Sequence, residues 1–343
     1  MRAFRPSNPA DGAAIAALLD AAGLHPVVRP DVEQWKYWQP RADWSGDRSY
    51  VLTDDGSLIA HGAIIPGVLA WGGERASIVQ VVDWAARADA PGAGFSLIKR
   101  LCRIADGAIA IGGTSDTRQI LPHLGFKPAG EVLGYARPLR PVRIFGARAR
   151  SGWRLLPRFA RGVLWAARAP ARGGEEFNVR RITADALAEV RAALPIASPD
   201  LAVLERSEAS LRHALDCPLV PMELFALERS GRVQGYFLLA IAGRQARLAD
   251  CWMVTREPAD WRALTQCAVR QARQHPEVGE LAAWASDALF SECLAQCGFH
   301  VRNRQPLSLL LRAGRPAMTA TLRVQMLDAD AAYLDPRGDS LWT

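Results

Sequence analysis

Short apolar runs closed by Gly, Asp or Pro alternate with helically spaced apolar positions through the first 140 residues. Positions 3–6 predict a short strand, and Asp11 stands where it would cap a helix over 13–22. A strand over 49–53, the tight turn Asp54-Asp55-Gly56 and a strand over 58–68 predict a hairpin. Gly72-Gly73 turns the chain into a third long strand over 76–86. A loop of small residues then opens into a helix over 95–105. A buried strand over 108–112, a helix over 116–124 stopped by Gly125-Phe126, and a strand over 132–136 complete the series.

The second half repeats this order. A strand over 178–182 and a helix over 183–193 capped by Thr183 match the start of the chain. A strand over 223–228, the Ser230-Gly231 turn and a strand over 233–242 match the hairpin. In the next strand, over 247–254, Asp250-Cys251-Trp252 stands where the first half has Asp83-Trp84. Ser286-Asp287 through Cys297-Gly298-Phe299 matches Ser115-Asp116 through Leu124-Gly125-Phe126, and Leu211-Arg212-His213 matches Trp35-Lys36-Tyr37. The expected organisation is a first domain over 1–140, a connector over 141–175, a second domain over 176–315 and a tail over 316–343.

The loop between strand and helix, Arg87-Ala88-Asp89-Ala90-Pro91-Gly92-Ala93-Gly94, carries the clearest chemistry. Glycines leave backbone N–H groups uncovered, and a helix start adds a positive dipole end, so such a loop suits a phosphate or pyrophosphate. With the element order around it and Leu124-Gly125-Phe126 after the last helix, residues 1–140 resemble the GNAT acyltransferase superfamily. The resemblance implies two tandem α/β (α+β) domains, each a mixed, mostly antiparallel central sheet flanked by helices. It also implies acetyl-CoA or another acyl-CoA as co-substrate, held by Ala86, Arg87, Gly92, Ala93, Gly94, Phe95, Ser96 and Asp116. Two positions depart from the family pattern. Pro91 replaces the usual Arg, and Leu121 stands where many members carry the tyrosine that protonates the CoA thiolate. The corresponding loop of the second half, 255–261, has no glycine and two acids, which assigns one CoA site per chain.

Amine acylation needs a group to take the amine proton and a donor for the tetrahedral oxyanion. The resemblance places the donor on the backbone near Ala85-Ala86-Arg87. Asp83 interrupts an apolar strand, where a buried acid is costly without purpose or partner, and is the candidate base. An ion pair or a backbone cap is the structural alternative. His61 fits either a base or a half-exposed strand residue, and Asp116 fits a helix cap. Trp35-Lys36-Tyr37-Trp38 precedes the hairpin, where GNAT folds cover the acceptor groove, and aromatic faces there suit an amino sugar.

Net charge is +7, yet ten arginines and no acid lie between Arg137 and Arg172, so the rest of the chain is mildly acidic. That placement argues against nucleic-acid binding. Within the connector, Arg154, Arg158 and Arg161 share one helical face and Trp153, Leu156, Phe159 and Val163 another. Such a helix packs on a domain or lies on an anionic membrane surface. The six cysteines form no zinc-ligand pattern and read as buried reduced thiols, so no metal is expected. No apolar run is long enough to span a bilayer, and the N-terminus lacks an apolar leader, so a cytoplasmic location is expected. The resulting expectation is an acyl-CoA-dependent N-acyltransferase acting on a small-molecule amine. A non-catalytic GNAT-fold binding module, supported by Pro91 and Leu121, and a membrane-surface protein using the connector stand as alternatives.

Overall fold

In the computed structural model, which describes residues 1–147, 156–168 and 174–334, the two halves share one sheet. The first half contains β1 (Arg2–Pro6), α1 (Gly12–Ala21), α2 (Pro30–Glu33), β2 (Ser49–Asp54), β3 (Ser57–Trp71) and β4 (Glu74–Ala86). It continues through α3 (Ala93–Leu101), β5 (Gly107–Ile111), α4 (Ser115–Ile120) and β6 (Lys127–Pro138). The connector holds α5 (Pro141–Ala147) and α6 (Leu156–Arg168). The second half contains β7 (Asn178–Ile182), β8 (Leu201–Leu204), α7 (Glu208–Leu215), β9 (Met222–Arg229), β10 (Arg232–Ala242) and β11 (Gln245–Met253). It ends with α8 (Pro258–Ala272), β12 (Glu280–Ala285), α9 (Ala288–Gln296), β13 (His300–Leu311) and β14 (Thr321–Arg323).

Strands β1 to β4 pair antiparallel, and β5 joins β4 in parallel over only three residues, 78–80 against 107–109. Pleating sends alternate β4 side chains to opposite faces. Val79 and Val81 pack toward Leu97, Ile98 and Leu101 of α3, while Val82 meets Ile15, Leu18 and Leu19 of α1.

Strand β6 does not return to β5. It pairs with β12 on one side and β13 on the other, and β13 is the strand that lies against β5. Each half thus supplies the strand that closes the other's sheet. The free edge of buried β5 would leave peptide groups unpaired, and positions 307–311 of β13 satisfy them. The largest apolar core accordingly joins Ile78 and Ile109 of the first half to Tyr236, Leu248 and Leu281 of the second.

Several local expectations change. Asp11 does not cap α1; it closes a capping box with Asn8 and pairs with Arg5 at 2.7 Å. Thr183 makes no side-chain cap, and Ala184–Ala193 winds as a 3₁₀ helix. Trp153 and Arg154 lie outside the described residues. In α6, Trp165 stacks on His300 with centroids 3.8 Å apart, whereas Val163, expected on the packed face, is exposed. All six cysteines are buried and unpaired. No described helix is long and apolar enough to cross a membrane.

Candidate active site

Beyond Gln80 and Ile109 the pairing of β4 with β5 stops, and β4 runs on to Ala86. The Arg87 amide donates to the Ile59 carbonyl at 2.9 Å. Backbone alternation therefore turns the Ala86 amide the other way, toward the gap beside β5. In the loop that follows, Ala93 donates to the Ala90 carbonyl at 3.1 Å and Ser96 to the Gly92 carbonyl at 2.9 Å. The amides of Gly94 and Phe95 fall in the first turn of α3, where helix geometry supplies no acceptor. Gly92, at φ +75°, makes the left-handed step that starts the helix. A Cβ at position 94 would meet the Ala86 Cβ at 3.3 Å and the Trp84 ring at 3.5 Å, and Trp84 Nε1 donates to the Gly94 carbonyl at 3.0 Å. The acid in the loop, Asp89, is matched by Arg87 through two hydrogen bonds of 2.9 and 2.5 Å.

Of the residues expected to hold an acyl-CoA, Ala86, Gly94 and Phe95 keep amides directed out of the fold's own bonding. Arg87, Ala93 and Ser96 spend theirs inside it. Asp116 is exposed on α4 and touches Ser115 Oγ at 3.2 Å; the cap is Thr114, whose side chain accepts the Thr117 amide. Leu121 is buried in the core around α3.

Asp83 sits on a β-bulge opposite His61–Ala63, with φ at +49°, a conformation that non-glycine residues rarely adopt. Lys36 Nζ lies 2.5 Å from Asp83 Oδ2, and Tyr37 Oη donates to the same oxygen at 2.7 Å. Both come from a π-helical turn, Gln34–Trp38, whose wider winding lets two successive side chains reach one acid. Burial alone would raise the Asp83 carboxyl, but Lys36 and Tyr37 outweigh it and hold it below the ordinary carboxylate range. Lys36 is held above its ordinary value: burial opposes its charge, and Asp83 and Asp330 restore it. Asp330 itself is raised by burial and by the charge of Asp83. The base expected at Asp83 is therefore an ion-paired carboxylate, and its partner is a lysine.

His61 is fully buried, not half-exposed, and burial holds its pKa at about 4. Its neighbours set one consistent chain of donors. Trp38 Nε1 donates to Ser7 Oγ, Ser7 to Ser49 Oγ, and Ser49 to His61 Nε2, at 3.0, 2.6 and 2.9 Å. His61 Nδ1 then donates to the Asp83 carbonyl at 3.1 Å, which pins the bulge.

Two cavities meet at this cluster. One, of about 280 Å³, lies among α1, α2 and Asp83. The other, of about 310 Å³, lies between the halves and reaches Gln80 and Ile109, where β4 and β5 part. Lys36 and Tyr333 line both. The tail residues Asp330 and Tyr333 had no signal in the sequence, because only the fold brings them beside Lys36. The segments 35–37 and 211–213, matched in the repeat, meet in space: Trp35 stacks on His213 at 4.7 Å and donates to its carbonyl at 2.8 Å.

No protein-family model matches the chain, and no curated protein matches it. Solved structures do. A GCN5-related N-acetyltransferase from Anabaena variabilis superposes with a TM-score of 0.57 at 12% identity, over 90% of this chain and 72% of its own. An N-myristoyltransferase from Saccharomyces cerevisiae, solved with bound myristoyl-CoA and inhibitors, gives 0.60 at 13% identity, over 91% and 81%. A conserved protein from Enterococcus faecalis V583, described as a probable N-acyltransferase, gives 0.57 at 12% identity, over 91% and 72%. Identities this low speak for the fold. With its splayed parallel pair, bulged strand and glycine-started helix, the chain is a GNAT-fold protein with two GNAT-like halves in tandem.

Proposed function

We propose that the protein is an acyl-CoA-dependent N-acyltransferase that acylates a primary amine of a small molecule, with an amino sugar among the candidate acceptors. One observation carries this reading: the gap between β4 and β5 has the start of α3 on one face and, on the other, two cavities that share Lys36 and Tyr333, one of them lined by Asp83. The Gly94 and Phe95 amides and the dipole of α3 suit a pyrophosphate, and the Arg87–Asp89 pair leaves the loop without net negative charge. The Ala86 amide is the proposed backbone contact for the acyl-CoA arm.

In such a transfer the neutral amine attacks the thioester carbonyl carbon. A C–N bond forms, the C–S bond breaks, and one proton passes from nitrogen to the departing sulfur. Asp83 is the proposed acceptor of that proton. Paired with Lys36 it is a weak base toward a free ammonium, yet adequate toward the more acidic N–H of the tetrahedral adduct. The proposed site is on the first half alone. A binding module without turnover is the second reading, favoured by Leu121, whose side chain is buried where the family tyrosine would stand.

Thermal-shift titration with acetyl-CoA and longer acyl-CoAs tests the reading. We expect stabilisation of about 2.7 kcal/mol at a hundredfold excess over Kd, lost in Gly94→Glu, which crowds Ala86 and Trp84 and adds a charge. No shift with any acyl-CoA removes the proposal. A shift without CoA release across an amine panel leaves the module reading.

A further inference from the structure

We propose that the larger cleft, between the two halves, selects an acceptor amine that also carries an anionic group, with Arg48 receiving the anion. The amine part of this inference rests on the acyl-transfer reading above; the anion part rests on the cleft itself.

Arg48 is 6% exposed and lines the cleft. Its guanidinium donates to the Trp35 and Gln39 carbonyls at 2.6 and 2.8 Å and meets His213 Nε2 at 3.2 Å. Among the described residues no carboxylate forms an ion pair with it. The other cations of the same cleft, Lys36, Arg41, Arg75 and Arg206, each close on a carboxylate. Burial brings Arg48 down to about 10, so it keeps its charge at neutral pH. A buried cation without a counter-charge is costly, and a planar guanidinium matches carboxylate and phosphate oxygens.

Two buried polar atoms of the same cleft lack a hydrogen-bond partner among the described residues. Burial and the charge of Arg48 hold His213 at about 3, so the ring is neutral. Arginine cannot accept a hydrogen bond, so His213 Nε2 accepts and Nδ1 carries the proton. That Nδ1–H has no partner among the described residues. Gln80, 7% exposed, stands where β4 and β5 part, and among the described residues its Oε1 has no partner either. The Arg48 carbonyl accepts the Ile64 amide, and Gln80 lies in register with Ile65, so the backbones of Arg48 and Gln80 are about two strand spacings, roughly 10 Å, apart across the sheet. Among the described residues the cleft therefore combines one cation without an ion pair and one donor without an acceptor with one unpartnered acceptor where β4 and β5 part. A small molecule with an anion at one end and an amine at the other satisfies all three. On transfer the amine nitrogen bonds the acyl carbon, the carbon–sulfur bond breaks and the nitrogen's proton leaves with sulfur, while the anion stays unreacted on Arg48.

The test is CoA release at fixed acyl-CoA with matched amines: alanine against alaninamide, and O-phosphoethanolamine against ethanolamine. We expect the anionic member of at least one pair to be favoured about 10- to 100-fold in kcat/KM, and the pair that discriminates identifies carboxylate or phosphate. Arg48→Gln collapses that preference to about one, and Arg48→Lys retains part of it. Equal use of both members of both pairs by the wild-type protein, which needs no variant to fold, overturns the proposal. So does an unchanged preference in Arg48→Gln. If no amine releases CoA, equilibrium binding of the same four amines decides. Anionic amines that bind only when Arg48 is present support the anion site while counting against acyl transfer, and absence of binding overturns the site.

Discussion

Asp83 lies within the bulge of β4 and Asp250 beside the bulge of β11, at corresponding points of the two halves, and each is held by a basic residue and a tyrosine. Around Asp250 the chain completes every contact itself. Arg206 pairs with it at 2.9 Å, Tyr236 donates at 2.6 Å, Arg206 reaches on to Asp328, and the side chain is fully buried. The helix start beyond that bulge is filled as well. Asp260, in the first turn of α8, accepts Thr255 Oγ1 at 2.7 Å and Arg229 at 2.9 Å. Around Asp83 the matching space stays open: the acid forms part of a cavity wall, Lys36 reaches a second cavity, and the helix start presents bare amides. Asp250 itself is sealed off, with Arg206 and Asp328 of its network reaching the cleft between the halves, whereas Asp83 forms part of a cavity wall. The chain's own side chains fill the space around one and leave the other open, and the backbones differ as well, since Asp83 takes φ +49° and Asp250 does not take a positive φ.

The comparison predicts opposite consequences for one substitution. Asp83→Asn is expected to lower CoA release about 10²- to 10⁴-fold, the usual range for loss of a proton-transfer group, with a smaller stability loss than at Asp250 because Lys36 lines two cavities where water can solvate it. A fall of less than tenfold would take Asp83 out of the chemistry. Asp250→Asn is expected to destabilise the fold by about 3–5 kcal/mol, because it leaves Arg206 and Asp328 buried with a broken network. Urea unfolding measures this, and the folded fraction should retain its activity. Equal stability losses at both positions would erase the distinction between the two bulges.

Acid should open the first bulge before the second. His61 titrates at about 4 in the fold, below the value of about 6.5 for an unfolded chain. As pH falls through that window the unfolded chain binds a proton that the fold refuses, so stability drops by roughly 3 kcal/mol. His213, held at about 3, acts in the same direction. The stabilising contribution of Asp83, whose folded pKa is depressed, is present above about pH 4 and is lost as pH falls further. Hydrogen exchange is expected to show β3–β4 amides losing protection between pH 6.5 and 4 ahead of β10–β11 amides. Simultaneous loss would show that the buried histidine does not govern the first bulge.

Much of the fold was legible in the chain. Alternation of apolar residues marked β2 to β4, and the ordered repeat of turns, acids and Leu-Gly-Phe-like stops marked two copies of one plan. Asp83 was conspicuous because an acid inside an apolar strand demands a partner. That partner was not legible: Lys36 lies 47 residues away on a turn whose aromatic residues suggested a different role. Arg48 gave no signal either, since one arginine beside an aspartate resembles an ordinary surface charge.

The local pattern by itself determined most of the long strands and helices, where a glycine-bearing loop meets a helix, and that the second half lacks such a loop, while β8 and β14 carried no such signal. Those features depend on side-chain periodicity and on backbone freedom within a few residues. Only the tertiary structure decided that β6 and β13 exchange places, that Asp330 and Tyr333 return to Lys36, and that Arg48 is buried with no ion pair among the described residues. A strand's pattern records which face is buried but not which strand lies beside it, because ladder hydrogen bonds are made by a backbone common to every residue. Charge pairing is equally non-local. It depends on which groups share a desolvated space, and that space exists only once both halves have closed on each other.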